Sequence, residues 1–145
     1  MGRIVVHTHG RARERAYAEL VTMYADRLRQ RGVRLEAHAA RLTHDEYADL
    51  LEIAAEGSSL LLLDENGEAG STASFVQRWR DWRLGSETVH LAVGPVDGFE
   101  QSVLSRHQTL SLGPLTMTYE MATVVLLEQL YRASEIERGS PYHRD

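Results

Sequence analysis

The sequence predicts an α/β fold: a mostly parallel sheet covered on both faces by helices. Three observations lead there. Strand-like and helix-like segments alternate along the whole chain. Ser59 to Asp64 contains the unbroken apolar run Leu60-Leu61-Leu62-Leu63, as a central strand buried on both faces requires. Three strand-like runs lead into loops with glycine, beginning near Asp64, Gly94 and Leu112, and ligands of such sheets bind beyond the carboxyl ends of strands.

Each element has its own signal. Ile4, Val5 and Val6 mark a first strand over Arg3 to Thr8, turning through His7-Thr8-His9-Gly10. Arg11 to Arg31 is amphipathic, with Tyr17, Leu20, Val21, Tyr24 and Leu28 at helical spacing, and Gly32 stops it. Val33, Leu35 and Ala37 alternate with polar residues as in a half-exposed strand. Thr43-His44-Asp45-Glu46 has capping-box form and starts a helix ending near Gly57. After Ser59 to Asp64, the segment Glu65 to Gly70 reads as a polar loop, and Ser71 caps a helix carrying Phe75, Val76, Trp79 and Trp82. Glu87 to Val93 is a fourth strand, followed by Gly94-Pro95-Val96-Asp97-Gly98 and a short helix over Glu100 to Arg106. Gln108 to Leu112 is a fifth strand. A last helix runs from Tyr119 to Glu137, ended by Gly139 and Pro141. Met121, Val124, Val125, Leu127, Leu130 and Tyr131 make it apolar on more than one face, which suits packing on the sheet and on a second copy.

Composition narrows the chemistry. A chain of 145 residues fits one domain, here 1–145, and 43% hydrophobic with 26% charged content is that of a folded globule. The absence of cysteine removes disulfides, zinc-thiolate sites and thiol nucleophiles. No apolar run approaches the roughly 20 residues of a membrane span, and the amino terminus does not read as a signal peptide. The net charge of −5 is uneven: residues 1–41 hold nine arginines against four acids, and residues 42–77 hold eight acids and no Arg or Lys. All 16 basic residues are arginine, a side chain suited to bidentate phosphate contacts. Bulk charge therefore neither requires nor excludes an RNA partner.

Familiar nucleotide motifs are missing: no glycine triplet follows the first strand, and no Walker sequence is present. No Ser-His-Asp triad can be assembled from the scattered serines and histidines. The seven histidines lack the spacing of known zinc sites, so loop or surface placement, and no metal, is the expectation. The carboxyl end is richer. Arg132, Tyr142, His143 and Arg144 place two guanidiniums, a phenol and an imidazole on or just after the last helix. Terminal residues usually fray, but proline, tyrosine and histidine together in Pro141-Tyr142-His143-Arg144-Asp145 are unusual for a solvated tail.

Leu62-Leu63-Asp64, Ser111, Leu115-Thr116, Glu128-Gln129-Leu130-Tyr131-Arg132-Ala133 and that closing stretch resemble the RlmH family. These are small SPOUT-class methyltransferases that modify N3 of a pseudouridine in 23S ribosomal RNA. The likeness runs from about Ser59 to the end. It implies a SPOUT-type fold with a carboxy-terminal trefoil knot, a homodimer, a cytoplasmic location, and ribosomal RNA or the assembled ribosome as partner. It implies S-adenosylmethionine as methyl donor, contacted by Leu63, Gly94, Gly113, Pro114, Leu115, Thr116, Met117 and Thr118. Arg132, Tyr142, His143 and Arg144 would face the RNA. His143 would assist loss of the N3 proton, Arg132 or Arg144 would stabilise the developing anion or grip phosphate, and Tyr142 would stack on the base.

Three departures from the family pattern accompany it. Val93-Gly94-Pro95-Val96-Asp97-Gly98 stands where the family has Gly-Gly-Pro-Glu-Gly, Thr118-Tyr119 stands for Pro-His, and Thr123 for an arginine. They keep two alternatives open: a relative that binds RNA or ribosome without methylating, and a methyltransferase with another RNA target. A flavodoxin-like or receiver-type domain is a third reading. It wants an acidic cluster at the end of the first strand, which His7-Thr8-His9-Gly10 does not provide.

Overall fold

A computed structural model describes residues 3–144; Met1, Gly2 and Asp145, the last residue of the closing stretch, lie outside the described residues. Five strands form one sheet: β1 (Ile4–His9), β2 (Val33–His38), β3 (Ser59–Glu68), β4 (Val89–Ala92) and β5 (Gln108–Leu110). Their order is β2-β1-β4-β3-β5 and every pairing is parallel. The helices are α1 (Arg15–Arg29), α2 (His44–Ala54), α3 (Thr72–Leu84), α4 (Gln101–Leu104) and α5 (Tyr119–Arg138). The expected alternation is present, with shorter ends on β4, β5, α1 and α4.

Side-chain alternation along the strands creates two cores. Ile4, Val6, Val33, Leu61, Val89, Leu91 and Leu110 point to the face covered by α1, α3 and α5, where they meet Leu28, Trp79, Leu126, Leu127 and Leu130. Burying each such leucine contributes about 1.5–3 kcal/mol. Leu62 and Ala92 point the other way, onto Tyr47, Ala48 and Leu51 of α2 and Val103 of α4. Local signals work as their chemistry demands. Thr43 and Glu46 close a reciprocal capping box on α2, and the side chains of Ser71 and Thr118 accept from Ser74 and Met121 N–H at the starts of α3 and α5.

Two expectations need correction. Glu65 to Gly70 is not simply a loop. The chain bulges after Leu63 and rejoins the sheet at Glu68, which pairs with Leu110 as Leu63 does. Gly67 allows this, since a Cβ there would lie 2.8 Å from Thr109 Oγ1. The histidines are not all at the surface. His7 is 1% exposed and His90 is also buried, because strand alternation turns both toward the sheet face that carries Tyr47, not into the β1 turn.

Helix α5 ends in a Schellman turn. Gly139 adopts φ 74°, its N–H bonds the Ile136 carbonyl, and the Ser140 N–H bonds the Glu135 carbonyl. This reverses the chain, so residues 140–144 fold back along α5.

Candidate active site

The β3 bulge and the loops after β4 and β5 meet at one cleft of about 400 Å³, within the size range of small-molecule sites. Leu63, Gly94, Gly113, Leu115, Thr116 and Met117 line it together. Of the residues expected around a methyl donor, Pro114 and Thr118 stay outside the lining: Pro114 is exposed and Thr118 caps α5.

Hydrogen bonds hold the loops to one another. Ser111 Oγ accepts from Gly113 N–H at 3.0 Å and lies 3.1 Å from the Glu65 carbonyl, while Thr116 Oγ1 donates to Glu65 Oε2. On the β4 side, Val93 N–H bonds the His7 carbonyl at 2.9 Å and Tyr47 OH donates to the Val93 carbonyl at 2.7 Å. Gly98 turns the Gly94 loop with φ 79°, and a Cβ on Gly94 would sit 3.3 Å from Gly98 Cα. The charged side chains of the lining are all acids, Asp64, Glu65 and Asp97. Val96 and Leu115 stand 72% and 75% exposed at the rim. A slot of mixed polarity whose charged side chains are all carboxylates suits a ligand bearing a positive centre.

A larger hollow of about 760 Å³ lies against β1, β2 and α1, with Val21, Thr22, Leu35 and Thr123 in its walls. It gathers neither the β3 bulge nor the loops after β4 and β5, so the smaller cleft is the better candidate.

The carboxyl-terminal group assembles elsewhere. Glu128 organises it. Its carboxylate accepts from Arg132 at 2.8 Å and from Tyr142 OH at 2.8 Å, and Tyr24 OH lies 3.4 Å from Tyr142 OH. Arg132 also donates to His143 Nδ1 at 3.0 Å and lies over the Tyr142 ring, 5.2 Å from its centroid. Tyr131 meets Tyr142 edge to face at 4.9 Å. The tail is therefore docked, not frayed. Burial, then hydrogen bonding to Tyr24 and Glu128, raises the Tyr142 phenol well above its ordinary value, so it stays a donor. Arg144 is exposed. The sequence signal for Glu128 is its position four residues before Arg132 on a helix.

The structure thus brings the cleft residues together and the tail residues together, but not the two groups. α1 and α5 lie side by side in the same direction: Glu120 near the start of α5 accepts from Arg13 and Glu14 N–H, and Arg31 after α1 pairs with Glu135 near the end of α5. The cleft reaches α5 at Tyr119 and Ala122. Arg132 lies ten residues farther along, roughly 15 Å at 1.5 Å per residue. Of the substituted positions, Tyr119 donates its hydroxyl to the Arg11 carbonyl, and Thr123 is buried with its hydroxyl bonded to the Tyr119 carbonyl.

Residues 2–143 match the family model described as "Predicted SPOUT methyltransferase". A protein of Anaeromyxobacter sp. (strain Fw109-5), named "Ribosomal RNA large subunit methyltransferase H", is 36% identical over 98% of this chain and 99% of its own length. The chain belongs to the RlmH family of SPOUT methyltransferases. An RlmH relative from Rhizobium etli is 35% identical over the same shares, and one from Acidovorax ebreus is 40% identical over 61% of this chain and 58% of its own. The full-length match extends the RlmH likeness to the first half of the chain, beyond the segment from Ser59. Among solved structures, the putative methyltransferase Lpg2936 of Legionella pneumophila, in complex with bound SAM, aligns with TM-score 0.49 and 17% identity over 90% of this chain and 66% of its own.

Proposed function

We propose that this chain transfers the methyl group of S-adenosylmethionine to N3 of a pseudouridine in large-subunit ribosomal RNA. The observation that carries the reading is the cleft itself: the β3 bulge and the loops after β4 and β5 enclose a slot of mixed polarity whose charged side chains are Asp64, Glu65 and Asp97. A sulfonium is a cation, and the carboxylates favour it over its neutral product after transfer. Full-length similarity to proteins named for methylation of large-subunit ribosomal RNA supports the RNA as acceptor.

The acceptor needs a second set of groups, and the tail supplies them. Methyl transfer is an in-line displacement, so the nucleophile must be aligned with the methyl carbon and water kept out. N3 also carries a proton that must leave. Arg132 is always a donor, so in this arrangement His143 Nδ1 is the acceptor and a neutral His143 carries its proton on Nε2. His143 then assists proton loss as a donor to a ring oxygen, stabilising the N3 anion beside Arg132 while the N3 proton passes to a water molecule. Tyr142 packs the base, and the exposed Arg144 reaches phosphate.

Since the tail sits roughly 15 Å along α5 from the cleft, it completes the cleft of a second copy. A homodimer is therefore part of the reading. Tyr17, Val21, Met23 and Tyr24 of α1 are only partly buried, Leu20 and Met121 are each 39% exposed, and Leu28 is the one fully buried side chain of α1. An antiparallel pair packed on these faces covers them and carries each tail to the opposite cleft. The carboxy-terminal knot and a cytoplasmic site of action belong to the same proposal. Incubation with methyl-labelled donor and either ribosomes or free ribosomal RNA tests it. Label is expected at one pseudouridine. Donor binding without label on any RNA favours a binding protein that no longer methylates, and label on another nucleotide favours a different target.

A further inference from the structure

Three imidazoles run in a line across the sheet face opposite α5, and methyl transfer uses none of them. His38 Nε2 lies 2.8 Å from His7 Nδ1, and His7 Nε2 lies 2.8 Å from His90 Nδ1. The rings stack at 5.1 Å on both sides of His7. The Glu36 carboxylate approaches the same His7 Nδ1 at 3.9 Å. The sheet register creates this group: His7 pairs with Glu36, His9 with His38, and His90 lies one strand away opposite Val5.

We propose that His7 Nδ1, His38 Nε2 and Glu36 Oε2 form a binding site for one divalent ion of the zinc class. Their ligand atoms all lie within 4.8 Å of one another. Two nitrogens and one carboxylate oxygen are a known zinc donor set that leaves a fourth position for water. On a shared tetrahedral ion, ligand atoms stand about 3.3 Å apart. His7 and His38 must therefore open slightly from 2.8 Å, and Glu36 must close slightly from 3.9 Å. A metal-bound histidine usually has its other nitrogen tied to a partner that fixes the tautomer. His90 Nδ1 holds that position on His7 Nε2. His7 is buried while His38 and Glu36 are partly exposed, which provides an entry path. Arg34 binds the other Glu36 oxygen at 2.8 Å; it orients the carboxylate but opposes a cation, which points to moderate affinity.

The site lies beside the cleft. The His7 carbonyl accepts from Val93 N–H, next to Gly94. An ion there would brace the β1–β2 pairing, and the His7–His90 contact would link it to β4, which carries the Gly94 loop.

Calorimetric titration of the chelator-stripped full chain with Zn²⁺ tests the proposal. One ion per chain is expected, with affinity reduced at least about tenfold in both His38→Ala and Glu36→Gln. Both positions are partly exposed, so these variants keep the fold. His107→Ala, at a histidine paired with Glu52 outside the group, controls for adventitious binding and should bind as the parent does. Co²⁺ gives an independent readout, since coordination at this site produces visible d–d absorption that His38→Ala loses. No binding at one ion per chain, or equal affinity in the parent, His38→Ala and Glu36→Gln, overturns the proposal.

Discussion

Arg132 donates a hydrogen bond to Nδ1 of His143 at 3.0 Å, and this contact makes Nδ1 the acceptor side of the imidazole. A guanidinium cannot accept, so His143 is turned to present Nε2–H. Replacing His143 by alanine removes a donor from the developing anion. Single-turnover methyl transfer should slow about 100-fold, the scale for losing one anion-stabilising donor, with donor affinity unchanged because the cleft is built elsewhere. His143→Gln, which can still donate, should recover part of that rate. An unchanged rate in His143→Ala would remove the residue from the mechanism.

Glu128 binds Arg132 and Tyr142 with one carboxylate. Glu128→Ala should free the tail while leaving the sheet intact. The stability loss should be about 1 kcal/mol, since the pair is partly exposed, whereas methyl transfer should fall at least about tenfold. Limited proteolysis after Arg138 or Arg144, compared with chemical denaturation, separates the two effects. A tail as protease-resistant as the parent's would contradict the assigned role.

The Gly94 loop turns on Gly98 at φ 79°. Alanine there must adopt a left-handed conformation that costs about 1–2 kcal/mol. Gly98→Ala should weaken binding of S-adenosylmethionine, measured by calorimetry, more than it lowers the thermal midpoint. Unaltered donor binding would separate this loop from the cleft's function.

Stability should depend on pH where ordinary histidines titrate. His7 is lowered by burial and by its histidine neighbours to about 3; His38 and His90 are also lowered, chiefly by burial, with Glu36 opposing that shift in both, His9 adding to it at His38 and Arg34 at His90. Below about 6.5 the unfolded chain takes up protons that the folded chain refuses. The stabilisation is therefore present above that pH and is lost as pH falls toward 3. The slope should reach about 1.4 kcal/mol per pH unit for each histidine held neutral. Urea denaturation with metal chelated, compared at pH 7.5 and 5, checks this before carboxylates contribute. A flat profile would mean that the cluster accepts a proton without cost.

Much of this fold was legible because its signals are local. Thr43 and Glu46 announce a helix start, and Leu60 to Leu63 reads as a strand with apolar side chains on both faces, of which Leu61 and Leu62 are buried. What stayed hidden depends on partners far away in the chain. Glu65 to Gly70 is polar enough for a loop, yet Glu68 rejoins the sheet because Leu110 is there to receive it. His7 reads as part of a turn until β2 and β4 bring His38 and His90 beside it. Tail residues were named from their types and a family likeness. Their docking rests on Tyr24 and Glu128, which no spacing rule connects to Tyr142. The gap between tail and cleft follows from the direction of α5, which appears only once the sheet order is known.

That gap makes the central claim testable by mixing. One variant carries His143→Ala and an intact cleft; the other carries Gly98→Ala and an intact tail. Each alone should be strongly impaired in transferring labelled methyl groups to ribosomes. After co-refolding, half of the dimers should be mixed, and each mixed dimer should have one site with both an intact cleft and an intact opposing tail. Recovery to roughly a quarter of the parent activity is predicted. A mixture no more active than the two variants measured separately would show that cleft and tail do not act across a dimer.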